Sequence, residues 1–380
     1  FMGVAGKIPL YVPYLDKSDE EEVSERIREK RIVGDGLKCQ EFEKEFADYL
    51  GVKYVLLTTS CTAALDLAFM ALELEKGEVI IPDYTFTSSA LAPMMNGLDV
   101  RLCDVEYRTA NMDPELIEDC ITEKTKAIVS VDYAGYPCRI DRILEIARKH
   151  ALTVVHDAAQ SCGSKYKGEY AGTQANLSCF SFHATKNLST GEGGCLVTND
   201  DELAERAYVL RDKGTNKHSF IEQKDLGYYE YQMLGNSYVQ SDILGALALS
   251  QLKKLDWMNR RRAEHATYLS TGLSGIKDLK LPYLDEDSES NWHMYTVRVP
   301  EDRLLEFRYE LNNEGVGCNT HYHPLHINSL YKDLGYNEND FPNATRVFRT
   351  LLRLPMYPQL TREELDRIVE AVCKVARRVF

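Results

Sequence analysis

The sequence predicts an α/β protein, with a mostly parallel seven-stranded sheet sandwiched by helices and a smaller C-terminal α+β domain. Three observations lead there. Short apolar runs alternate with amphipathic helical patterns through the first half of the chain, the order that buries a parallel sheet on both faces. After about Ala263 the pattern changes to helices mixed with a clearly alternating strand. The length, 380 residues, exceeds one typical domain and suffices for a substantial core. We place the boundary near residue 250, with a large domain and its N-terminal arm over 1–250 and a small domain over 251–380.

Strands are expected at Tyr54 to Leu57, Val79 to Ile81, Val100 to Cys103, Ala127 to Val131, Thr153 to His156, Leu177 to Phe182 and Cys195 to Thr198. Helices intervene, including Cys61 to Leu72 and Asp141 to His150. The second opens on an aspartate N-cap and ends in basic residues that suit the helix dipole. From about Asp200 a long helical region leads through Ser241 to Ala263. The tract from Gly214 to Gln240 is rich in Tyr, Asn, Gln and Lys, and reads as a mobile loop or a surface ordered by a partner. In the C-terminal part Met294 to Val299 alternates as a strand, Leu304 to Glu314 continues as a helix stopped by Gly315, and Thr361 to Phe380 closes the chain as an amphipathic helix. There is no internal repeat and no low-complexity segment.

The chemistry concentrates in Cys179-Phe180-Ser181-Phe182-His183-Ala184-Thr185-Lys186-Asn187-Leu188, followed by Gly191-Glu192-Gly193-Gly194. This places one lysine between an apolar strand and a glycine-rich turn, where a Schiff-base lysine would sit. Most lysines are solvated, so a second segment is needed to raise Lys186 above that background. Thr153-Val154-Val155-His156-Asp157 supplies it: a buried parallel strand ending in a carboxylate, at the sheet edge where open α/β folds bind ligands. A lysine and such an aspartate suit pyridoxal phosphate, whose aldehyde condenses with an amine and whose ring nitrogen needs a proton partner. Lys186, released by an incoming amine, would then serve as the proton-transfer base.

A third segment, Leu56 to Ala68, passes from an apolar run through Thr58-Thr59-Ser60-Cys61-Thr62 into helical periodicity, so free N–H groups at a helix start suit a phosphate. An ordinary Ser/Thr N-cap has the same appearance. Pro82-Asp83-Tyr84-Thr85-Phe86-Thr87 follows the next strand and offers an aromatic ring for stacking on a flat cofactor, or for the core.

Together these segments resemble the sugar aminotransferases of the DegT/DnrJ/EryC1/StrS family, within the fold type I pyridoxal phosphate enzymes. The resemblance runs nearly end to end and adds Val33-Gly34-Asp35-Gly36, Asp157-Ala158-Ala159-Gln160, Arg211-Asp212-Lys213-Gly214-Thr215-Asn216 and His321-Tyr322-His323-Pro324-Leu325-His326. It implies Lys186 as the Schiff-base lysine, Asp157 as the partner of the ring nitrogen, Gln160 beside the ring hydroxyl and Phe86 stacked on the ring. It assigns the phosphate to Thr62, the Ala63 backbone and Ser181, with Ser237 or its neighbour Asn236 reaching the phosphate of the adjacent subunit. Serine at 237, where many members carry asparagine, together with the Lys213-Gly214-Thr215-Asn216 run, resembles the enterobacterial common antigen branch, which aminates C4 of dTDP-4-keto-6-deoxyglucose. The implied reaction takes an amino group from L-glutamate, stores it as pyridoxamine phosphate and delivers it to the sugar, with the galacto product favoured over gluco. C3 amination and GDP- or UDP-linked sugars are the alternatives. A homodimer with shared active sites is implied as well. Lysine rather than histidine at 186 argues against the dehydratase relatives, and the presence of both Lys186 and Asp157 argues against a non-catalytic member.

Forty-five basic against fifty-nine acidic residues give a net charge of −14, which offers no support for nucleic-acid or anionic-membrane binding. A sugar nucleotide would need a local positive patch, for which Arg211 and Lys213 are candidates, alongside His321 and Tyr322 as a substrate-facing loop. Solvated charges at a helix end are the plainer reading of the first two. Ten scattered cysteines with no CxxC pair, no secretory leader and no apolar run that would cross a bilayer point to a cytoplasmic catalyst. The three histidines of 321–326, with Cys318 upstream, match no standard zinc spacing, and Pro324 breaks any helix that would align them, so no metal is expected.

Overall fold

The computed structural model describes residues 6–216 and 229–380. Its strands are β1 (Tyr54–Thr58), β2 (Glu78–Pro82), β3 (Asp99–Cys103), β4 (Thr125–Val131), β5 (Thr153–Asp157), β6 (Lys165–Tyr166), β7 (Glu169–Tyr170), β8 (Leu177–Ser181), β9 (Gly194–Thr198), β10 (Ser288–Glu289), β11 (Tyr295–Arg298) and β12 (Leu351–Leu354). Seven of them form the main sheet in the order β1-β9-β8-β5-β4-β2-β3. All seven expected strands are present, each within two residues of its expected ends. They form because each is a short β-branched or aliphatic run; Val79, Ile80, Ile81, Ile128, Val129, Val154 and Val155 are all fully buried, as a sheet covered on both faces requires.

The strand directions explain where the site lies. β8, β5, β4, β2 and β3 pair in parallel, whereas β9 is antiparallel to both β8 and β1. A parallel neighbour would require a crossover helix; the reversed β9 instead lets the chain return directly. That return, residues 182–193, projects from the carboxyl ends of the strands and carries Lys186. Two glycines make it possible. Gly191 takes φ +84, and a Cβ on Gly194 would lie 2.4 Å from the Cys61 nitrogen, so β9 can approach the start of the helix Cys61–Leu72 only without a side chain.

Two helix expectations need correction. The helix expected from Asp141 starts one residue earlier, Ile140–Lys149, with Arg139 at the N-cap and no side-chain cap. Asp141 sits in the first turn, and its carboxylate accepts from Tyr166 Oη at 3.0 Å and Lys167 Nζ at 2.8 Å. The long helical region through 241–263 is broken at Lys253 and Lys254 into Asp242–Leu252 and Leu255–Leu273. The closing helix, Arg362–Val379, has the reciprocal cap its sequence spells, Thr361 with Glu364.

The apolar residues gather into distinct cores. One lies under the main sheet and includes Leu56, Leu65, Ile81, Val129 and Val155, together with Leu325, Tyr331, Phe341 and Val347 from late in the chain. Another joins Leu269, Tyr295, Val297, Phe307, Leu352, Ile368 and Val372 with Ile8 from the N-terminal arm. The chain after residue 250 therefore serves both. Part of the 214–240 tract, residues 217–228, lies outside the described residues. No described helix is long and apolar enough to cross a membrane.

Candidate active site

The carboxyl ends of the strands surround a cavity of about 480 Å³, lined by Ser60, Cys61, Thr62, Phe86, Ser88, Asp157, Gln160, Ser181, Lys186, His321 and Tyr322 among others. Segments separated by more than 250 positions meet here because each directly follows a strand or belongs to the C-terminal loop that folds over them.

Lys186 stands on a rigid return. Phe182 N–H donates to Gly193 O, Ala184 N–H to Gly191 O and Thr190 N–H to Phe182 O, each at 2.8 Å. Asn187 anchors the next residue by donating to Asn259 Oδ1 at 2.8 Å and Asn291 O at 2.9 Å. Burial pushes the Lys186 ammonium down to about 8, against the opposing pull of Cys61 and Asp157. At pH 7 about a tenth of the amine is therefore neutral, against fewer than about one in a thousand for an ordinary lysine. This leads to a pH prediction for the apoprotein: the rate of capturing an aldehyde at Lys186 should rise about tenfold from pH 6 to 7 and level off above about 8. A rise continuing to pH 10 in the visible absorbance of captured pyridoxal phosphate would show an unperturbed lysine.

Asp157 ends β5 almost wholly buried. Ser89 Oγ donates to its Oδ2 at 2.6 Å and Ala159 N–H to its Oδ1 at 3.1 Å, so both oxygens are oriented. Burial raises its pKa even so; the two donors, Lys186 and His156 do not offset the lost water. A carboxylate held this way is poised to accept a cation from a ligand. Thr85 Oγ1 lies 3.0 Å from Ser89 Oγ and steadies that hydroxyl.

Where the helix Cys61–Leu72 starts, the cavity carries hydroxyls. Ser60 acts as N-cap of Cys61–Leu72, its Oγ accepting from Ala63 N–H at 3.0 Å, so the cap reading and the ligand reading both have a place. Cap formation engages the Ala63 N–H that was expected to face the phosphate, while Thr62 and Ser181 line the cavity as expected. Ser88, whose Oγ lies 2.7 Å from Thr62 Oγ1, adds a hydroxyl that the sequence did not single out. Phe86, also lining the cavity, is 53% exposed, its ring 5.8 Å from that of Tyr322. Gln160 is fixed between Ala134 N–H, which donates to its Oε1 at 2.7 Å, and Tyr322 Oη, which accepts from its Nε2 at 3.0 Å.

The donor set fits pyridoxal phosphate: one lysine with a depressed pKa, a buried carboxylate with no ion-pair partner among the described residues, a hydroxyl cup at a helix start and a half-exposed aromatic ring around one cavity.

Other expected residues stand elsewhere. Arg211 does not face substrate; it is 2% exposed, with Nη2 on Asp35 Oδ1 at 2.9 Å, and Nη1 on Leu57 O at 3.0 Å and on Glu43. It is a structural cation joining the Val33-Gly34-Asp35-Gly36 segment to β1. Arg211→Met would strand Glu43 in the interior and is expected to cost about 3–5 kcal/mol in denaturant unfolding. Lys213 is exposed, pairs with its neighbour Asp212 and does not reach the cavity. Asn236 and Ser237 are exposed and also outside this chain's cavity; Asn236 Nδ2 donates to Tyr238 Oη at 2.8 Å. The histidines of 321–326 diverge. His321 lines the cavity, His323 lies 3.1 Å from Asn328 Oδ1, and His326 is buried 2.7 Å from Asp83 Oδ2. Cys318 lies against the Arg308 carbonyl.

Residues 13–373 match the DegT/DnrJ/EryC1/StrS aminotransferase family. The chain is 37% identical over 379 residues to the spore coat polysaccharide biosynthesis protein SpsC of Bacillus subtilis, covering 97% of each. It is 34% identical over 348 residues to the dTDP-3-amino-3,4,6-trideoxy-alpha-D-glucose transaminase of Streptomyces venezuelae, covering 90% of this chain and 88% of that one. Spr1654 of Streptococcus pneumoniae, solved in its PMP form, superposes with a TM-score of 0.91 at 30% identity over 98% of each chain. Its PLP form gives the same TM-score of 0.91 over 98% of this chain and 100% of that one. Fold, site and kinship agree: this chain belongs to the DegT/DnrJ/EryC1/StrS aminotransferase family and is a pyridoxal phosphate-dependent sugar aminotransferase of fold type I.

Proposed function

We propose that the enzyme moves an amino group from L-glutamate to C4 of dTDP-4-keto-6-deoxyglucose, giving dTDP-4-amino-4,6-dideoxygalactose. The observation that carries the transfer is the pairing of Lys186 with Asp157 around one cavity. Pyridoxal phosphate, when bound, supplies an aldehyde that exchanges amines and a ring that withdraws electrons. Asp157, oriented by Ser89 and Ala159, would hold a proton at the ring nitrogen. Thr62, Ser88 and Ser181, which line the cavity, would hold the phosphate, and Phe86 would stack on the ring. Lys186, neutral in a useful fraction near pH 8, would hold and move the transferred proton at its Nζ. Tyr322 and His321 border the cavity where the sugar enters.

A dTDP-linked sugar is supported by the Streptomyces venezuelae relative, and a role in polysaccharide assembly by SpsC. The first of these also favours a second reading, amination at C3. Comparing kcat/KM for 4-keto and 3-keto sugars on dTDP, GDP and UDP carriers tests the choice; the 4-keto dTDP sugar should lead by at least about tenfold, and a lead by any other removes it.

The working unit is a homodimer. Tyr231 is 70% and Leu234 92% exposed, beside Asn236 and Ser237, which lie outside the cavity of their own chain. A partner would cover this apolar strip and receive Asn236 or Ser237 at its phosphate site. Sedimentation of active enzyme as a monomer would contradict this.

A further inference from the structure

On the opposite face of β5 from the cavity lies a second group of polar side chains. Successive residues of a strand point to opposite faces, so where Asp157 turns to the cavity its neighbour His156 turns away. There His156 Nε2 lies 2.9 Å from Asp132 Oδ2, the two side chains 1% and 0% exposed. The same carboxylate accepts from Ser161 Oγ at 2.6 Å and, through Oδ1, from Cys138 N–H at 2.7 Å. Burial works against charge at both residues. Asp132 nevertheless holds the His156 proton above the ordinary histidine range, and His156, Ser161 and the Cys138 N–H hold Asp132 below the ordinary carboxylate range. The two form a buried ion pair, which adds little to stability over a neutral pair of the same shape.

The pair brackets a turn that carries two residues of the active site. His156 precedes Asp157 and Ser161 follows Gln160, so one carboxylate, just beyond the end of β4, grips both ends of 157–160. Three further bonds join the turns after β4 and β5. Asp132 N–H donates to Asp157 O at 3.3 Å, Ala134 N–H to Gln160 Oε1 at 2.7 Å and Ser164 Oγ to Gly135 O at 2.8 Å. Charge couples the same residues. Asp132 and Asp157 are the charged groups acting on His156, and His156 in turn is among the groups that favour the Asp157 carboxylate against its burial. Cys138 Sγ, 3.9 Å from His156 Nε2, stays a thiol because burial and Asp132 both raise it.

We propose that Asp132 and His156 are positioning residues for amino transfer: they fix the Asp157–Gln160 turn and set a positive charge behind Asp157, which keeps it a carboxylate toward the cofactor ring. This rests on the role proposed above for Asp157 and deepens it. Neither residue lines the cavity, so both act through Asp157 and Gln160. A metal ion is the competing use of an Asp, a Cys and a His whose ligand atoms lie within 4.8 Å of one another. Both Asp132 oxygens already take donors, which favours the ion pair.

The test compares Asp132→Asn with the double variant Asp132→Asn/His156→Gln, in which two neutral amides of similar size can bond to each other. Asp132→Asn alone leaves His156 without its counter-charge and should lower the melting temperature; the double variant should regain it. The double variant is nevertheless expected to bind pyridoxal phosphate about tenfold more weakly as apoprotein, by fluorescence titration, and to run the glutamate half-reaction about tenfold more slowly with KM changed less than about twofold. Wild-type cofactor affinity and rate in the folded double variant would reduce the pair to scaffolding and overturn the proposal. Nitrogen-15 NMR of the wild-type apoprotein decides without any variant: the His156 ring should keep both protons at about pH 7, and a neutral ring there overturns the proposal. A zinc ion in each chain by atomic emission, lost in Cys138→Ser, would make the cluster a metal site and overturn it as well. Failure of the Asp157 role itself looks different, since Asp157→Ala would then run at full rate; failure of this pair alone leaves Asp157→Ala slow and the double variant fast.

Discussion

Lys186→Ala is expected to fold, to bind pyridoxal phosphate without a covalent link, and to lose at least about ten-thousandfold in turnover. The expected loss combines the two roles proposed for Lys186, the amine that captures the cofactor and the base that moves a proton. Folding should survive because the return between β8 and β9 is held by backbone bonds and by Asn187, not by the Lys186 side chain. The stability change has a definite sign. Burial lowers the folded pKa to about 8, below the ordinary lysine value, so the unfolded chain binds more protons between about 8 and 10.5. Wild-type apoprotein thus gains stability as pH rises through that window, and the variant lacks that gain because it lacks the penalty. Sustained activity in Lys186→Ala would falsify the assignment.

Asp157→Ala should bring the second largest loss, at least about 10³-fold in the glutamate half-reaction, since the ring nitrogen then lacks the charge that keeps it protonated. Asp157→Asn separates charge from shape: the amide oxygen can still accept from Ser89 or Ala159, yet the negative charge is gone. Both variants should fall by similar factors if charge is the cause. A half-reaction rate unchanged in Asp157→Ala would remove this residue from the mechanism, and full activity in Asp157→Asn would reduce its role to positioning.

The main sheet was legible because each strand is a short, fully buried aliphatic run, a pattern visible locally. Lys186 and Asp157 were legible for a related reason, since each follows such a run at the sheet's carboxyl edge. What depends on distant partners was not. Arg211 reads as a solvated helix-end charge until Glu43 and Asp35, some 170 positions earlier, close around it. Ser88 and Ser89 carry no local signal; their contacts with Thr62 and Asp157 exist only once β2, β5 and the Cys61–Leu72 helix are side by side. Asp141 reads as a cap because aspartate at a helix start is usually one, but the helix begins at Ile140 and the Asp141 carboxylate turns to Tyr166 and Lys167.

Amino transfer to C4 of a dTDP-linked keto sugar, proposed above, is read most directly from the product itself. Enzyme, pyridoxal phosphate, L-glutamate and dTDP-4-keto-6-deoxyglucose are incubated, and the sugar nucleotide is recovered for mass and proton couplings around the new amine. Expected is replacement of the keto oxygen by an amine at C4, with couplings of the galacto configuration. Unchanged keto sugar, from protein that holds its cofactor through Lys186, would contradict the substrate assignment.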